Sequence, residues 1–131
     1  MPAAQARRRS PELEVQIDCV TYSDAIGLMC VASKNGAYSN SRVGAIYKRM
    51  GVRAGFPDLL IPKIGARGEP GLFVELKAPG RQLRPAQVRW QKQLRGEGYV
   101  CEVARTLDQF KAIVQTYTTG DGPEFERTVV L

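Results

Sequence analysis

Histidine does not occur in this 131-residue chain, and its absence removes several kinds of catalytic site. Ser-His and Cys-His nucleophile pairs need an imidazole base, and His-ligated zinc sites need its ring nitrogens. Nucleases that use a histidine general base are excluded for the same reason. Any catalysis by this chain must therefore depend on carboxylates, Lys, Arg, Tyr or a bound metal ion.

Cysteine is scarce, and its spacing argues against both disulfides and thiolate metal sites. Cys19, Cys30 and Cys101 lie far apart and form no CxxC pair, which favours small buried thiols in a reducing compartment. No apolar run approaches the roughly 18 residues that span a bilayer, and the basic N-terminal segment lacks the apolar run of a signal peptide. We therefore expect a cytoplasmic protein with no membrane partner.

The chain has few acidic residues relative to basic ones: 13 Asp and Glu residues and 19 Lys and Arg residues give a net charge of +6. Much of the excess is Arg, whose planar guanidinium suits phosphate oxygens, so a polyanion is a natural partner. The same charge could serve solubility alone, and composition does not choose between the two. The length allows one domain with one modest core.

Cap and turn residues divide the chain into elements in the order helix, strand, helix, strand, strand, helix, strand, helix. Ser10 and Pro11 begin the first helix, and Leu13, Ile17 and Val20 are predicted to form its buried face. The later elements are predicted at 28–33, 41–50, 58–62, 72–77, from Pro85 to Gly96, at 99–104, and from the Thr106 cap to about Tyr117. This order predicts an α/β fold, a mixed β-sheet flanked by α-helices, with a flexible basic arm over residues 1–9 and a C-terminal tail over 118–131.

Two of the predicted strands carry charged residues that a hairpin would bring together. The segment GFPDLLIPKIGARGEPGLFVELKAPG places Asp58 at the head of one strand and Glu75 and Lys77 at the end of the next. Side chains alternate along a strand, so Glu75 and Lys77 share a face, and the hairpin sets Asp58 beside them. Two repelling carboxylates favour a hard divalent cation such as Mg2+ or Mn2+. With a lysine to orient water, such a site can hydrolyse phosphodiesters.

The same residues also have a purely structural interpretation. Asp58 would then cap a strand, and Glu75 and Lys77 would form an exposed cross-strand ion pair. An acid followed by Glu-x-Lys often arises by chance, so the pattern alone favours the structural interpretation.

Four motifs follow one another along most of the chain: Glu12, then GVRAGFPDLLIP, then FVELKAPG, then LRPAQVRWQKQL. This ordered set resembles the PD-(D/E)xK nucleases and, within them, the virus-type replication-repair nuclease (VRR-NUC) family. The resemblance covers about residues 10–114, and its most specific part is the run from Gly51 to Asp58. It implies a restriction-endonuclease-like fold and a nuclease domain over residues 10–117.

The resemblance also implies roles for the residues of the hairpin. Asp58 and Glu75 match the metal ligands of the family, the Leu76 carbonyl matches a third ligand, and Lys77 matches the catalytic lysine. The expected cofactor is Mg2+ or Mn2+.

Further roles follow for residues on the flanking helices and loops. Glu12 matches the helix-one acid that can support a metal or its water, with Glu14 as an alternative, and Gln87 matches the glutamine of the helix after the lysine. Five residues are expected to contact DNA: Asn35, Arg42, Arg53, Arg81 and Arg84.

The function implied by the resemblance is metal-dependent hydrolysis of DNA phosphodiesters. Small members of the family resemble the archaeal Holliday-junction resolvases, which implies branched DNA as substrate and a homodimer with two sites related by a two-fold axis. A phage or prophage origin in a bacterial host is expected. The alternatives are a non-specific or nicking DNA nuclease and a catalytically silent DNA-binding module, although the latter would have no need of two repelling carboxylates.

Overall fold

The computed structural model describes residues 10–33 and 41–127 and contains a four-stranded mixed sheet flanked by helices. The predicted arm, residues 1–9, lies outside the described residues. The elements follow the predicted order: α1 (Pro11–Ala25), β1 (Val31–Ala32), α2 (Ser41–Arg49), β2 (Leu59–Ile61), β3 (Leu72–Leu76), α3 (Pro85–Gly96), β4 (Val100–Ala104) and α4 (Leu107–Thr119). The predicted α/β fold is therefore confirmed. None of the helices in the described residues is long and apolar enough to cross a membrane.

The sheet runs in the order β1-β2-β3-β4, antiparallel from β1 to β3 and parallel from β3 to β4. Helix α3 supplies the crossover that a parallel pair needs. Leu59 pairs with Val74 across β2 and β3. Extending this antiparallel register by one residue places Asp58, just before β2, opposite Glu75 near the end of β3.

The hydrophobic core surrounds β3, which is buried along its whole length. Strands β2 and β4 and the inner face of α4 contribute most of the other core side chains: Leu59, Ile61, Val100, Phe110, Val114 and Tyr117. Because both neighbours of β3 are paired strands, the charged residues at its end rest on the most rigid part of the sheet.

Helix α1 buries only part of the face predicted for it. Leu13 and Ile17 are 44% and 38% exposed, whereas Cys19 and Ser23 are fully buried. The Ser23 hydroxyl donates a 2.8 Å hydrogen bond to the Cys19 carbonyl, so this polar side chain is satisfied within the helix. The prediction was therefore wrong for Leu13 and Ile17, whereas Val20 does pack against the core, together with Val15 and Tyr22.

Strand β1 is also shorter than predicted. The segment 28–33 was expected to be a buried strand, but only Val31–Ala32 pairs with β2, and both residues are exposed at the sheet edge. Beyond the strand, the Ser33 N–H donates to the Asp58 carbonyl at 2.9 Å. This bond holds the main chain of Asp58 against the end of β1.

Residues 120–127, part of the predicted tail, fold back onto the domain. Helix α4 ends at Thr119, and the next residue, Gly120, caps it with a left-handed φ of 78°. The Arg67 guanidinium donates hydrogen bonds to three carbonyls of this segment, those of Gly120, Gly122 and Pro123. The Phe125 ring packs against Tyr117, with 6.3 Å between ring centroids. The described part of the tail is therefore packed on the domain, and residues 128–131 lie outside the described residues.

Candidate active site

A cleft of about 440 Å³ opens where β3 ends and α3 begins. All the residues predicted for catalysis or metal binding contribute to its wall: Glu12, Asp58, Glu75, Leu76, Lys77 and Gln87. They come from α1, from the residue before β2, from the end of β3 and from the first turn of α3. The fold therefore brings together residues that are up to 75 positions apart (87 minus 12) in the sequence.

The two carboxylates at the base of the cleft are held by different contacts. Asp58 Oδ2 accepts a 2.8 Å hydrogen bond from the Leu76 N–H. Glu75 is only 2% exposed, and its Oε1 accepts a 2.8 Å hydrogen bond from Gln87 Nε2. No N–H group in the part of the chain that the structure describes donates to its second oxygen, Oε2, which is buried. A buried acceptor of this kind is costly unless it binds a cation, a water or a ligand.

Burial and mutual repulsion act on the ionisation of both acids. Burial raises the pKa of Glu75 to about 9, and the negative charge of Asp58 adds to the increase. Burial likewise raises the pKa of Asp58, although the hydrogen bond from Leu76 opposes that increase. The metal-free site thus disfavours two simultaneous negative charges, a penalty that a bound cation would relieve.

Lys77 lies beside these acids, and two contacts fix it. Its main-chain N–H donates to the Ala104 carbonyl at 3.1 Å, which continues the pairing of β3 with β4. Its ammonium donates to Gln87 Oε1 at 3.3 Å and is almost fully buried, with the residue 7% exposed. Burial of both Glu75 and Lys77 excludes the alternative in which they form an exposed cross-strand ion pair.

The first turn of α3 explains the place of Gln87. Pro85 occupies the start of the helix, and the Gln87 side-chain oxygen accepts a 2.7 Å hydrogen bond from the Arg84 N–H. This is the reciprocal half of a helix capping box. The bond that begins the helix therefore also orients the Gln87 amide toward Glu75 and Lys77.

Helix α1 contributes Glu12 rather than Glu14. Glu12 Oε1 accepts a 3.2 Å hydrogen bond from the Ala78 N–H at the mouth of the cleft, whereas Glu14 is exposed and is not part of the wall. The negative charge of Glu12 also contributes to the raised pKa values of Asp58 and Glu75, so its carboxylate lies within electrostatic range of both.

The residues predicted to contact DNA are divided between the cleft and other places. Arg81 and Arg84 line the cleft. The Arg53 guanidinium instead donates to the Lys48 carbonyl at 2.8 Å, near the end of α2, and borders a separate cavity of about 350 Å³. Arg42 is exposed on α2, and Asn35 lies outside the described residues. Roles in DNA binding for these residues remain predictions.

Two residues that matter to the cleft were not among those predicted. Gly55 has a φ of +82°, and a Cβ built on it would lie 2.7 Å from Ala86 at the start of α3. Gly55 lies in the motif from Gly51 to Asp58, the most specific part of the family resemblance, so the sequence did contain a signal for its importance. Arg105 donates from Nη1 to the carbonyls of Ala78 and Arg81 at 2.9 and 2.7 Å. No motif around Arg105 marks it in the sequence.

The donor atoms in the cleft suit a hard cation. Within residues 10–33 and 41–127, no three His, Cys, Asp or Glu side chains converge as a ready metal site. The donors predicted as ligands are the carboxylates of Asp58 and Glu75 and the Leu76 carbonyl, and the Glu12 carboxylate also lines the cleft, so all of these donors are oxygen. Mg2+ is usually bound by one or two carboxylates and keeps several waters, so this small set and the buried Glu75 oxygen fit such an ion.

Comparisons with known proteins agree with this geometry. The model of the VRR-NUC domain family matches residues 28–107, more than half of the chain. The chain belongs to the VRR-NUC family. A solved structure named "VRR_NUC domain protein" is 30% identical with a TM-score of 0.63 and covers 84% of this chain and 89% of its own. A second, named "VRR_NUC domain", shares the fold with 24% identity and a TM-score of 0.57, over 83% of this chain and 99% of its own. A comparison with curated proteins found no match.

Membership of the VRR-NUC family makes this protein a nuclease domain with DNA as its substrate. VRR-NUC nuclease domains are in general metal-dependent. Helix α1 lies outside the matched segment, so the placement of Glu12 in the cleft comes from the structure and not from the family match.

Proposed function

We propose that this VRR-NUC protein is a DNA endonuclease that depends on Mg2+ or Mn2+ and acts on branched DNA as a homodimer. The observation that carries the metal dependence is the buried Glu75 carboxylate, whose Oε2 receives no bond from an N–H group of the described residues and whose neighbour is the carboxylate of Asp58. A protein that only bound DNA would gain nothing from burying two acids beside each other.

Asp58, Glu75 and the Leu76 carbonyl would hold the cation. When bound, the ion would supply a water of lowered pKa and an electrophilic contact to the phosphate. Asp58 is preorganised for this role, because the Leu76 N–H already fixes its Oδ2 and leaves Oδ1 for the ion. Glu12, at the mouth of the cleft, would hold a water of the coordination shell.

Lys77 would orient the attacking water and offset the negative charge that grows on the phosphate. A bond forms between the water oxygen and phosphorus while the bond to the 3′ oxygen breaks. The water loses a proton to solvent and the 3′ oxygen takes one from solvent, leaving a 5′-phosphate and a 3′-hydroxyl, as the family resemblance implies. Gln87 contacts both Glu75 and Lys77 and keeps the distance between acid and ammonium fixed. Arg81 and Arg84, on the rim, would bind the flanking phosphates.

Branched DNA is the favoured substrate because the chain resembles the small members of the family with a resolvase-like fold. Cutting both strands of a four-way junction requires two sites related by a two-fold axis, so the proposal includes a homodimer. Sequence-specific recognition is not proposed, since the sequence contains no motif that resembles a recognition helix or a zinc finger, and the arginines of the cleft suit phosphates.

Cleavage of end-labelled four-way junction, fork, single-strand and linear duplex DNA in Mg2+, Mn2+ and EDTA tests this function. Paired cuts in the junction that need metal and vanish with Lys77→Ala would support it, and sedimentation of the junction complex would test the homodimer. Equal cleavage of duplex and junction would instead identify a non-specific or nicking nuclease. Tight junction binding with no cut in either metal would identify a silent DNA-binding module.

A further inference from the structure

We propose that Arg105 is a positioning residue that holds the loop at residues 78–84 in the conformation that binds the DNA backbone. This role rests on the proposed function, because Arg105 would act through two arginines of that loop, Arg81 and Arg84, that are proposed to bind DNA. Neither the family resemblance nor the motifs of the sequence assign anything to Arg105.

Arg105 is itself firmly placed. It lies between the end of β4 at Ala104 and the start of α4 at Leu107. Its main-chain N–H donates to Gln109 Oε1 at 2.7 Å, and the next residue, Thr106, caps α4 through a 3.1 Å bond from the Gln109 N–H. The guanidinium therefore projects from a backbone that is fixed by both a strand and a helix.

The loop, in contrast, has no regular secondary structure and depends on a few bonds. The Arg81 N–H closes a turn on the Ala78 carbonyl at 3.1 Å, and Gly80 has a φ of +81°. Arg105 Nη1 donates to the Ala78 and Arg81 carbonyls at 2.9 and 2.7 Å, so it bonds both ends of this turn. Hydrogen bonds from a charged donor are stronger than neutral ones.

The Ala78 peptide is held from two sides. Its N–H donates to Glu12 on α1, and its carbonyl accepts from Arg105 beyond β4. Loss of Arg105 would remove the hydrogen bonds to the Ala78 and Arg81 carbonyls, and the turn that carries Arg81 and Arg84 would be less firmly held. Their phosphate contacts would then cost more ordering entropy on binding.

Lys77 is held by hydrogen bonds that Arg105 does not make. Its main chain is bonded to Ala104 and its ammonium to Gln87, and neither contact involves Arg105. A positioning role therefore predicts a split in the kinetic constants. Arg105→Ala should raise KM for DNA about tenfold, the size of one charge-assisted hydrogen bond, and change kcat less than about threefold.

A direct phosphate contact by Arg105 would also weaken DNA binding, and a double-mutant cycle separates the two roles. If Arg105 acts through the loop, Arg105→Ala and Arg81→Ala should be strongly non-additive in the dissociation constant. If Arg105 contacts DNA itself, the effects should add, and each lost contact should lower the slope of log K against log salt by about 1.

The experiment measures junction-DNA affinity by fluorescence anisotropy in EDTA, where no cleavage occurs, and cleavage kinetics in Mg2+. Arg89→Ala, which removes an exposed arginine of α3 outside the cleft wall, is the control for net charge. Arg105→Gln, which keeps a polar side chain, repeats the test if Arg105→Ala unfolds. The expected result is that Arg105→Ala raises KM and Arg89→Ala does not. The effects of Arg105→Ala and Arg81→Ala on the dissociation constant should also be non-additive. The proposal would be overturned if Arg89→Ala weakened DNA binding equally, if the effects of Arg105→Ala and Arg81→Ala were additive, or if Arg105→Ala lowered kcat alone.

Hydrogen exchange gives a readout that does not depend on nuclease activity. Amides of residues 78–84 should exchange about tenfold faster in Arg105→Ala than in the wild-type protein or Arg89→Ala, because the turn loses one charge-assisted bond. Unchanged exchange in this segment would refute the anchoring by Arg105. If the exchange changes as expected but the wild-type protein cleaves no DNA, the proposed function fails while the anchoring stands.

Discussion

Gln87 Nε2 donates a 2.8 Å hydrogen bond to Glu75 Oε1, while its Oε1 accepts from the Lys77 ammonium at 3.3 Å. One amide thus contacts the proposed metal ligand and the proposed catalytic lysine together. The same oxygen accepts from the Arg84 N–H, so the amide is oriented by the start of α3. Partners that orient metal ligands typically contribute a factor of about 10 to 100 in affinity or activity.

Gln87→Ala should therefore lower kcat for junction cleavage by about 10- to 100-fold with little change in DNA affinity. The reason is that Glu75 and Lys77 lose their common partner, while the loop that carries Arg81 keeps its bond from Arg105. Single-turnover cleavage and anisotropy would measure the two effects. Gln93→Ala, at an exposed position of the same helix, should behave as wild type. Full activity of Gln87→Ala would show that its amide is needed only to cap the helix.

Lys77→Ala should reduce cleavage by about a thousandfold, because it removes the ammonium that faces the proposed phosphate position. DNA binding should be largely retained, since Arg81 and Arg84 on the rim are unchanged. The measurement is single-turnover cleavage beside a binding assay in EDTA. Lys92→Ala removes an exposed lysine of α3 and is the matched control. Wild-type turnover by Lys77→Ala would eliminate the proposed mechanism.

The raised pKa of Glu75 predicts how the stability of the metal-free protein depends on pH. Its pKa is about 9 in the folded protein and near 4.5 when unfolded, so the folded state binds the extra proton between these values. The contribution of protonated Glu75 to stability is full below the unfolded pKa and is lost as the pH rises toward about 9. In EDTA, the free energy of unfolding should therefore fall as the pH is raised from about 5 to 9.

Glu75→Gln should remove most of this dependence and stabilise the metal-free protein at pH 8 by on the order of 1 to 3 kcal/mol. Urea unfolding in EDTA across this pH range would measure both effects. Glu97→Gln, at an exposed position after α3, is the control and should leave the curve unchanged. A Glu75→Gln protein that is less stable than wild type at pH 8 would contradict repulsion between buried acids.

The convergence of Asp58, Glu75 and Lys77 was predictable because two simple rules determine it. Alternation puts Glu75 and Lys77 on one face, and antiparallel pairing of β2 with β3 puts Asp58 opposite Glu75. The element order was predictable for a similar reason, since caps such as Ser10 and Thr106 accept the bonds that their sequence context indicates.

The features that could not be predicted depend on long-range contacts. Arg105 and Arg67 bond main-chain carbonyls 24 or more positions away, and carbonyls carry no sequence signal. On α1, Leu13 and Ile17 were mispredicted as buried, and the fully buried positions are instead occupied by Cys19 and Ser23. Small size and a satisfied hydroxyl outweighed hydrophobicity at these positions.

The close approach of Gly55 to α3 gives a prediction that joins stability to activity. Gly55 and Gly68 have nearly equal positive φ values of +82° and +84°, but a Cβ on Gly55 would lie 2.7 Å from Ala86, whereas a Cβ on Gly68 would meet nothing within 4 Å. Gly68→Ala should therefore cost only the left-handed backbone strain of about 1 to 2 kcal/mol. Gly55→Ala should cost about 1 to 3 kcal/mol more, the usual size of an overpacking penalty.

The overlap at Gly55 is with main-chain atoms of Ala86 and Gln87, which cannot move aside as a side chain could. Relief of the clash must shift the first turn of α3 and, with it, the Gln87 amide that joins Glu75 to Lys77. Gly55→Ala should thus lose cleavage as well as stability, and Gly68→Ala should lose stability alone. Urea unfolding and single-turnover cleavage of the two variants measure this difference. Equal cleavage by both would mean that the loop before Asp58 yields without moving α3.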